Sequence, residues 1–597
     1  MGSRKSNRYV PPASPPGSPV VPATGILKTL ADRGQITSDS DVRPGEHGGS
    51  SRPFGPVDAR VPVIDGATRP VGPPFDDWAQ DSLTHNMEPD TSTSDTAASA
   101  SKPSGSTDTA STAAPSADGA VSNVLLVTID SLRADSIAPY DDSRRSPVLS
   151  SLAADGTVFD RAFANGNWTP FSFPSILASE PVFARNADIG VKGSQTLASV
   201  LSEAGFATGG FNAANGFLTS HWGYPEGFDE FEPFVTSVGS SRYSRYLAAH
   251  PTVEAWIQLA TSPFRRLGSK IRGESDDRPF LDASRMFDVE DAATDFVDDT
   301  DEPFFLWVHY MDTHTPYVPA PRYIREVSDG LLGTHRMLHA HTRTSLGWEV
   351  GERTLRELRT LYQATVRQVD ASVGRLLDQL EAAGIADETA IVVAGDHGEE
   401  FQEHGHLAHY PKLYDELIHV PLIVNVPGED GGRRVSEHVG LDAIPPTVAD
   451  LLGVDTPSEW RGESVAPAVT GDESPDQEPV VSVTVRGEEV TEQPIPRSLS
   501  DGDLLVSVRD ETWTYIENVD AETTELYRRD TDPTQQEDLS DDPSDEALAV
   551  IERFAPVVAD HVAELRDKQT EVEAAGGGED EAVDEDLEAR LDALGYR

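Results

Sequence analysis

The residues with the most chemistry in them stand between Thr389 and Val424, where Asp396 and His397 sit between Gly395 and Gly398 and are followed by His404, His406, His409 and Lys412. A short apolar run, residues 391–394, leads into them, and a second, residues 420–424, follows. The first has the length and composition of a buried parallel strand, so Asp396 and His397 fall just past a strand's carboxyl end, where the loops of an open parallel sheet converge on one crevice. The arrangement recurs. The run VLLVTI at 124–129 ends on Asp130, and PFFLWVHY at 303–310 is followed by Asp312 and His314. Carboxylates and imidazoles gathered in this way suit a hard or borderline divalent cation holding an oxyanion. Such an ion lowers the pKa of a bound hydroxyl and neutralises the group under attack. Ser172 reads as lying at or just before a helix start, because Pro174 suits an early helical position, and free N–H groups there stabilise anions. The plainer readings are an N-cap serine and a polar loop with surface histidines. The neighbouring Asn167-Trp168-Thr169 matches a glycosylation sequon, which beside a pocket is taken as coincidence.

The elements that must position these groups can be read from periodicity. Residues 352–384 carry Leu355, Leu358, Leu361, Val366, Val369, Val373, Leu376, Leu377 and Leu380 at helical spacing and stop at Gly384, which predicts one long amphipathic helix delivering the chain to the strand at 391. A strand, helix, strand order implies right-handed crossovers and a parallel sheet covered on both faces. Residues 444–452 predict a short helix, and 235–300 a helical excursion. From 471 to 566 the pattern alternates as antiparallel strands do and ends in a covering helix at 546–565. These shifts divide the chain into a disordered low-complexity leader (1–120), a catalytic domain (121–470), a small α+β subdomain (471–566), and an acidic linker with a short terminal helix (567–597). The leader is rich in Pro, Ser, Thr, Gly and Asp, with almost nothing to bury.

Composition narrows the partners. Asp and Glu outnumber Lys and Arg 102 to 47 over 597 residues, a formal net charge of −55, and the lysines are Lys5, Lys28, Lys102, Lys192, Lys270, Lys412 and Lys568. Such a surface resembles those of proteins from salt-loving microbes, where salt screens the self-repulsion. No basic stripe is present to neutralise phosphates, so nucleic acid is not an expected partner. Cysteine is absent, which excludes disulfides and thiolate metal sites. No run approaches the ~20 apolar residues of a membrane span, and no apolar segment follows the charged N-terminus. The expectation is a soluble, cytoplasmic protein.

Asp130, Ser172-Phe173-Pro174-Ser175, Asp312-Thr313-His314, Asp396-His397-Gly398 and Lys412-Leu413-Tyr414-Asp415-Glu416, in this order, together resemble the sulfatase family of the alkaline phosphatase superfamily. The likeness runs from about Asn123 to about Ser540. It implies an α/β fold, a sulfatase-like mixed and mainly parallel sheet flanked by helices, with a small C-terminal α+β subdomain. It also implies one divalent metal ion held by Asp130, Ser172, Asp396 and His397, Ca2+ in a sulfatase and Mn2+ or Mg2+ in relatives that cleave phosphoesters. Ser172, His314 and Lys412 would be catalytic; His314 and Lys412 would bind substrate, with Asn212 or Asn215 where many arylsulfatases carry a Lys and His pair. The family's signature has Arg where this chain has Ile176, and a second Asp where it has Ser131. Both departures favour an unmodified Ser172 over formylglycine. The readings that follow are a metal-dependent hydrolase of sulfate esters on a small molecule or glycan, a phosphoester hydrolase or phosphotransferase using unmodified Ser172, and a non-catalytic binding protein on the same fold. Deleting residues 1–120 is expected to leave the thermal unfolding of the remainder in molar salt nearly unchanged, because the leader's composition cannot bury a face.

Overall fold

The apolar runs become strands because each is buried on both faces. In this computed structural model, which describes residues 121–185, 187–235, 285–328, 350–471, 474–475, 478–487 and 496–574, the leader, much of the 235–300 excursion and the terminal helix lie outside the described residues. The first part of the chain contains strand β1 (Asn123–Ile129), helix α1 (Pro147–Asp155), β2 (Thr157–Phe163), α2 (Thr169–Ala178), α3 (Leu197–Ala204), β3 (Ala207–Asn212), β4 (Glu230–Glu232), α4 (Met286–Asp299), β5 (Phe304–Tyr310) and α5 (Pro321–Val327). After α6 (Glu352–Ala383) come β6 (Thr389–Gly395), the short pair β7 (Glu400–Phe401) and β8 (Leu407–Ala408), β9 (His419–Val420), β10 (Leu422–Asn425), β11 (Arg433–Gly440) and α7 (Ile444–Leu451). The C-terminal part holds β12 (Val480–Arg486), β13 (Asp503–Arg509), β14 (Trp513–Asn518), β15 (Thr523–Arg528) and α8 (Asp545–Ala574).

The main sheet has the order β11-β2-β10-β6-β1-β5-β3-β4, with β9 beside β2. Its centre, β6-β1-β5-β3-β4, is parallel, as the predicted crossovers require. Alternate residues of β1 serve opposite faces: Leu125, Val127 and Ile129 pack with α4 and α6, whereas Val124 and Leu126 join the side of α2, α3 and α7. Helix α6 ends where the sequence predicts, on Gly384 in a left-handed conformation at φ 76°. Among the described residues no helix is long and apolar enough to cross a membrane.

The sheet is mixed, as expected: strand β10 runs antiparallel to β6, because no crossover helix intervenes and the segment 396–421 leaves from and returns to the same end of the sheet. One expectation changes. Helix α8 continues to Ala574, past the predicted linker start at 567, since helix-forming residues run on from Arg566 without Gly or Pro. The four-stranded antiparallel sheet β12-β13-β14-β15 is also tied to the main one. The Val483 amide donates to the Asn165 carbonyl at 2.9 Å, and the Ser482 hydroxyl to Ala164 at 2.7 Å.

The start of segment 396–421, at residues 398–399, is folded tightly against the main chain of its own residues 416–417. The Gly398 amide donates to Leu417 O at 2.7 Å, and a Cβ on Gly398 would lie 2.0 Å from Glu416 O. Gly398→Ala must therefore push one backbone segment off the other. The expected result is a loss on the order of 2 kcal/mol in urea unfolding, as for an overpacked core position.

Candidate active site

Parallel register decides which carboxylates meet. Ile129 pairs with Gly395, so Asp130 and Asp396 leave adjacent strands side by side, and both are fully buried. Asp396 Oδ1 accepts from the amides of Ser131 (3.0 Å) and His397 (2.8 Å). Asp130 Oδ1 accepts from the Ser131 hydroxyl (2.7 Å), and its Oδ2 from Asn215 Nδ2 (3.1 Å). Between them lies the hydroxyl of Thr169, 3.0 Å from Asp396 Oδ2 and 3.3 Å from Asp130 Oδ2. One hydroxyl has one proton to donate, so its second carboxylate contact is an oxygen–oxygen contact that a cation would relieve.

Histidines close the group. His397 Nδ1 lies 2.9 Å from the Gly398 carbonyl, which can only accept, so Nδ1 carries a proton. In the neutral ring the Nε2 lone pair then faces Asp130 Oδ1 and Asp396 Oδ2, each at 3.7 Å. This buried Nε2 has no hydrogen-bond partner among the described residues. Burial disfavours a charged His397, but Asp396 and Asp130 outweigh it and raise the ring's pKa. Burial, reinforced by the neighbouring Asp130 charge, pushes Asp396 up to about 6. Asp130 is lowered: burial opposes this, and His314, His309 and His397 overcome it. A site whose imidazole lone pair and two carboxylates point at one volume fits a divalent cation, with Asp130, Asp396, His397 and the Thr169 hydroxyl as the residues that would hold it.

A second layer is built from His314 and His409, whose ring centroids lie 4.9 Å apart, with His409 5.2 Å from His397. Burial depresses His314 to about 4 and His409 to about 3. His409 Nδ1 lies 3.3 Å from Glu399 Oε2, and Glu399, which accepts from the Tyr317 hydroxyl, is pushed up to about 7 by burial. The His409 carbonyl accepts from Trp168 Nε1 and from Asn167 Nδ2 (3.4 Å), which ties this layer to the start of α2.

The structure thus brings together Asp130, Asp396, His397 and His314 of the sequence-predicted set, and turns three others elsewhere. Ser172 donates to the Asp396 main-chain carbonyl at 2.6 Å. The helix starts at Thr169-Pro170, one turn earlier than a reading based on Pro174 gives, and Pro174 lies inside it. Asn212 is satisfied within its loop: its Nδ2 donates to Leu218 O (2.7 Å) and its Oδ1 accepts from the Asn215 amide (2.9 Å), so Asn215 is the residue presented to Asp130. Lys412 pairs with Glu400 at 3.1 Å and donates to His404 O. Sequence reasoning assigned no role to Thr169, although Thr-Pro is itself a helix-start signal. It also passed over His309 within β5, whose Nε2 lies 3.8 Å from Asp130 Oδ2. A signal existed there: Thr128, His309 and Asn212 are polar residues at one level of three adjacent strands.

The sequence profile of the sulfatase family matches residues 122–454 of this chain. The chain belongs to the sulfatase family. It is a sulfatase-like ester hydrolase, of the class that acts on sulfuric or phosphoric esters. Among sulfatase-family relatives, the Delta 4,5-hexuronate-2-O-sulfatase of Bacteroides thetaiotaomicron is 23% identical over 489 residues, covering 74% of this chain and 88% of the relative. The phosphonate monoester hydrolase of Agrobacterium radiobacter shares the fold with a TM-score of 0.55 at 19% identity, over 74% of this chain and 96% of that one. A protein solved with its substrate D-glucosamine-2-N,6-O-disulfate does so with a TM-score of 0.54 at 18% identity, over 74% and 98%.

A cation bound by Asp396 must displace the proton that the carboxylate holds below about 6. Affinity for Mn2+ is therefore expected to fall by about tenfold per pH unit below that point and to level off above it, because ligation and protonation compete for one group. Equilibrium dialysis on either side of that pH measures this directly.

Proposed function

We propose that this protein is a metal-dependent hydrolase of oxyanion esters in which the unmodified hydroxyl of Thr169 is the attacking group. The observation that carries the reading is the place of Thr169 Oγ1, within 3.3 Å of both buried carboxylates at the first residue of α2. When bound, a divalent cation supplies the charge that lowers the hydroxyl's pKa and neutralises the oxyanion under attack. Thr169 Oγ1 then bonds to phosphorus or sulfur as the bond to the alcohol breaks, its own proton passing to Asp396, and the alcohol oxygen takes the Nε2 proton of neutral His409, which Glu399 replaces at Nδ1. Attack by water on the Thr169 ester releases the oxyanion; the proton on Asp396 returns to Thr169, and the water's proton restores His409 and Glu399.

The residue type favours phosphorus esters. Formylglycine is an aldehyde, made from a side chain whose Cβ bears two hydrogens; threonine carries a methyl there, and its oxidation would give a ketone. Thr169 therefore cannot use the hydrated aldehyde by which a sulfatase expels sulfate. A covalent ester on a plain alcohol has to be cleaved by water at the central atom, as phosphoenzymes are. The phosphonate monoester hydrolase on the same fold is consistent with this reading. The sulfate-ester reading is supported by the family and by the hexuronate sulfatase relative.

The test compares Thr169→Ala with Ser172→Ala on aryl phosphates, aryl phosphonates and aryl sulfates. Thr169→Ala is expected to lose on the order of 10^4-fold or more in kcat, as for loss of a nucleophile, and Ser172→Ala to stay within about tenfold, because its hydroxyl serves a main-chain carbonyl. Mass spectrometry of the peptide spanning both residues should show intact threonine and serine. An aldehyde at Ser172, or a dead Ser172→Ala beside an active Thr169→Ala, would overturn the assignment. Activity confined to aryl sulfates would overturn the preference for phosphorus.

A further inference from the structure

We infer that His309 is a second imidazole ligand in this cradle and that it turns the site toward borderline transition ions such as Mn2+ or Zn2+ and away from Ca2+. The inference rests on the metal-dependent reading above and deepens it. His309 is fully buried, and its Nε2 has no hydrogen-bond partner among the described residues. That nitrogen lies 3.8 Å from Asp130 Oδ2, too long for a hydrogen bond. It is a fitting separation for two ligands of one ion, each roughly 2.1 Å from the metal. One ligand atom from each of Asp130, His309 and Asp396 lies within 4.8 Å of the other two.

The other side of the ring fixes how it can be used. His309 Nδ1 is 2.9 Å from the Thr128 hydroxyl, which accepts from Trp307 Nε1 at 2.9 Å and reaches the Val308 carbonyl at 3.5 Å. With Nδ1–H donated to Thr128, and Thr128 donating onward to Val308, every polar atom in the chain is used and the Nε2 lone pair faces the carboxylates. A ligating histidine is commonly held in this way, its second nitrogen donating to a fixed acceptor. The ring is clamped on a central strand with Phe173 edge-on at 5.0 Å, so it delivers the nitrogen without side-chain rearrangement. His397 is held in the same sense by Gly398 O. The two nitrogens approach Asp130 on different oxygens, His397 at Oδ1 and His309 at Oδ2.

The ligand chemistry decides the ion. Calcium takes six to eight oxygens, whereas imidazole suits Mn2+, Zn2+ and their neighbours. One oxygen that an all-oxygen cage would need is missing, because Ser131 stands where the family pattern has an aspartate and its hydroxyl is spent on Asp130 Oδ1.

The experiment strips the full-length protein of metal, reloads it with Mn2+ and counts coordinated imidazole nitrogens by pulsed electron paramagnetic resonance. Dialysis affinities for Mn2+ and Ca2+ are measured alongside, for the wild type and His309→Gln. The expected result is two imidazole nitrogens in the wild type and one in the variant, with Mn2+ affinity falling by about tenfold or more and Ca2+ affinity changing by less than about threefold. A wild type with a single imidazole nitrogen, or a folded variant with unchanged Mn2+ affinity, would overturn the inference and leave the metal-dependent reading standing. A wild type that binds no Mn2+ or Ca2+ would overturn both. Should the variant fail to fold, the nitrogen count in the wild type decides alone.

Discussion

Two carboxylates that meet in the interior, with no lysine or arginine beside them among the described residues, are the constraint on which this structure turns. Asp130 and Asp396 are completely buried, and the basic groups the described residues bring near them are histidines. Like charges so close inside a protein repel by several kcal/mol even at a generous effective dielectric. The opposite displacements of the two carboxyl pKa values record that conflict: one acid is held ionised at the other's expense. Asp396 meets it by holding a proton up to about 6, and the imidazole nitrogens aimed at the pair, with a threonine hydroxyl caught between the carboxylates, are where a cation would take that proton's place.

What surrounds this pair keeps it in place. The antiparallel return of β10 holds both ends of the segment 396–421 at one end of the sheet. The C-terminal sheet then braces the far side of that segment. Asp415 meets Arg529 at 2.7 Å and the fully buried Arg509 at 3.5 Å, Arg509 also reaches the Leu413 carbonyl, and Arg486 donates to Pro411 O. Four C-terminal strands far along the chain thereby act on the loop that carries His409. Removing one partner of a buried ion pair strands the other charge, so these contacts make the loop's shape depend on the integrity of the C-terminal sheet.

The fold was largely legible in the sequence because a strand buried on both faces must be apolar throughout, and β1, β5 and β6 each show it. The residues that follow such runs stood out for the same reason, which is how Asp130, Asp396 and His397 could be named. Where reading failed, two local signals competed or a partner was distant. Pro170 and Pro174 both mark helix starts, and only the position of Trp168 in space shows that the earlier one prevails. His309 looks like one polar residue in a core strand until Thr128 and Asp130 are placed beside it. Lys412 carries a charge that suits an oxyanion, but Glu400, twelve residues back, claims it across the β7–β8 hairpin. No periodicity encodes such a pairing.

That hairpin also fastens parts of the molecule together. Glu400 pairs with Ala408 and Phe401 with Leu407, so residues 402–406 form a closed tip whose base is fastened by backbone bonds, while Asp396 and His397 stand outside it. The tip itself is fastened by side chains: Glu403 pairs with Arg133 at 2.9 Å and with Arg359 at 3.0 Å, and His404 Nε2 lies 2.9 Å from Gln535 O. It works as a rivet between the loop after β1, helix α6 and the C-terminal part, so exchanging it would sever ion pairs as well as add closure entropy.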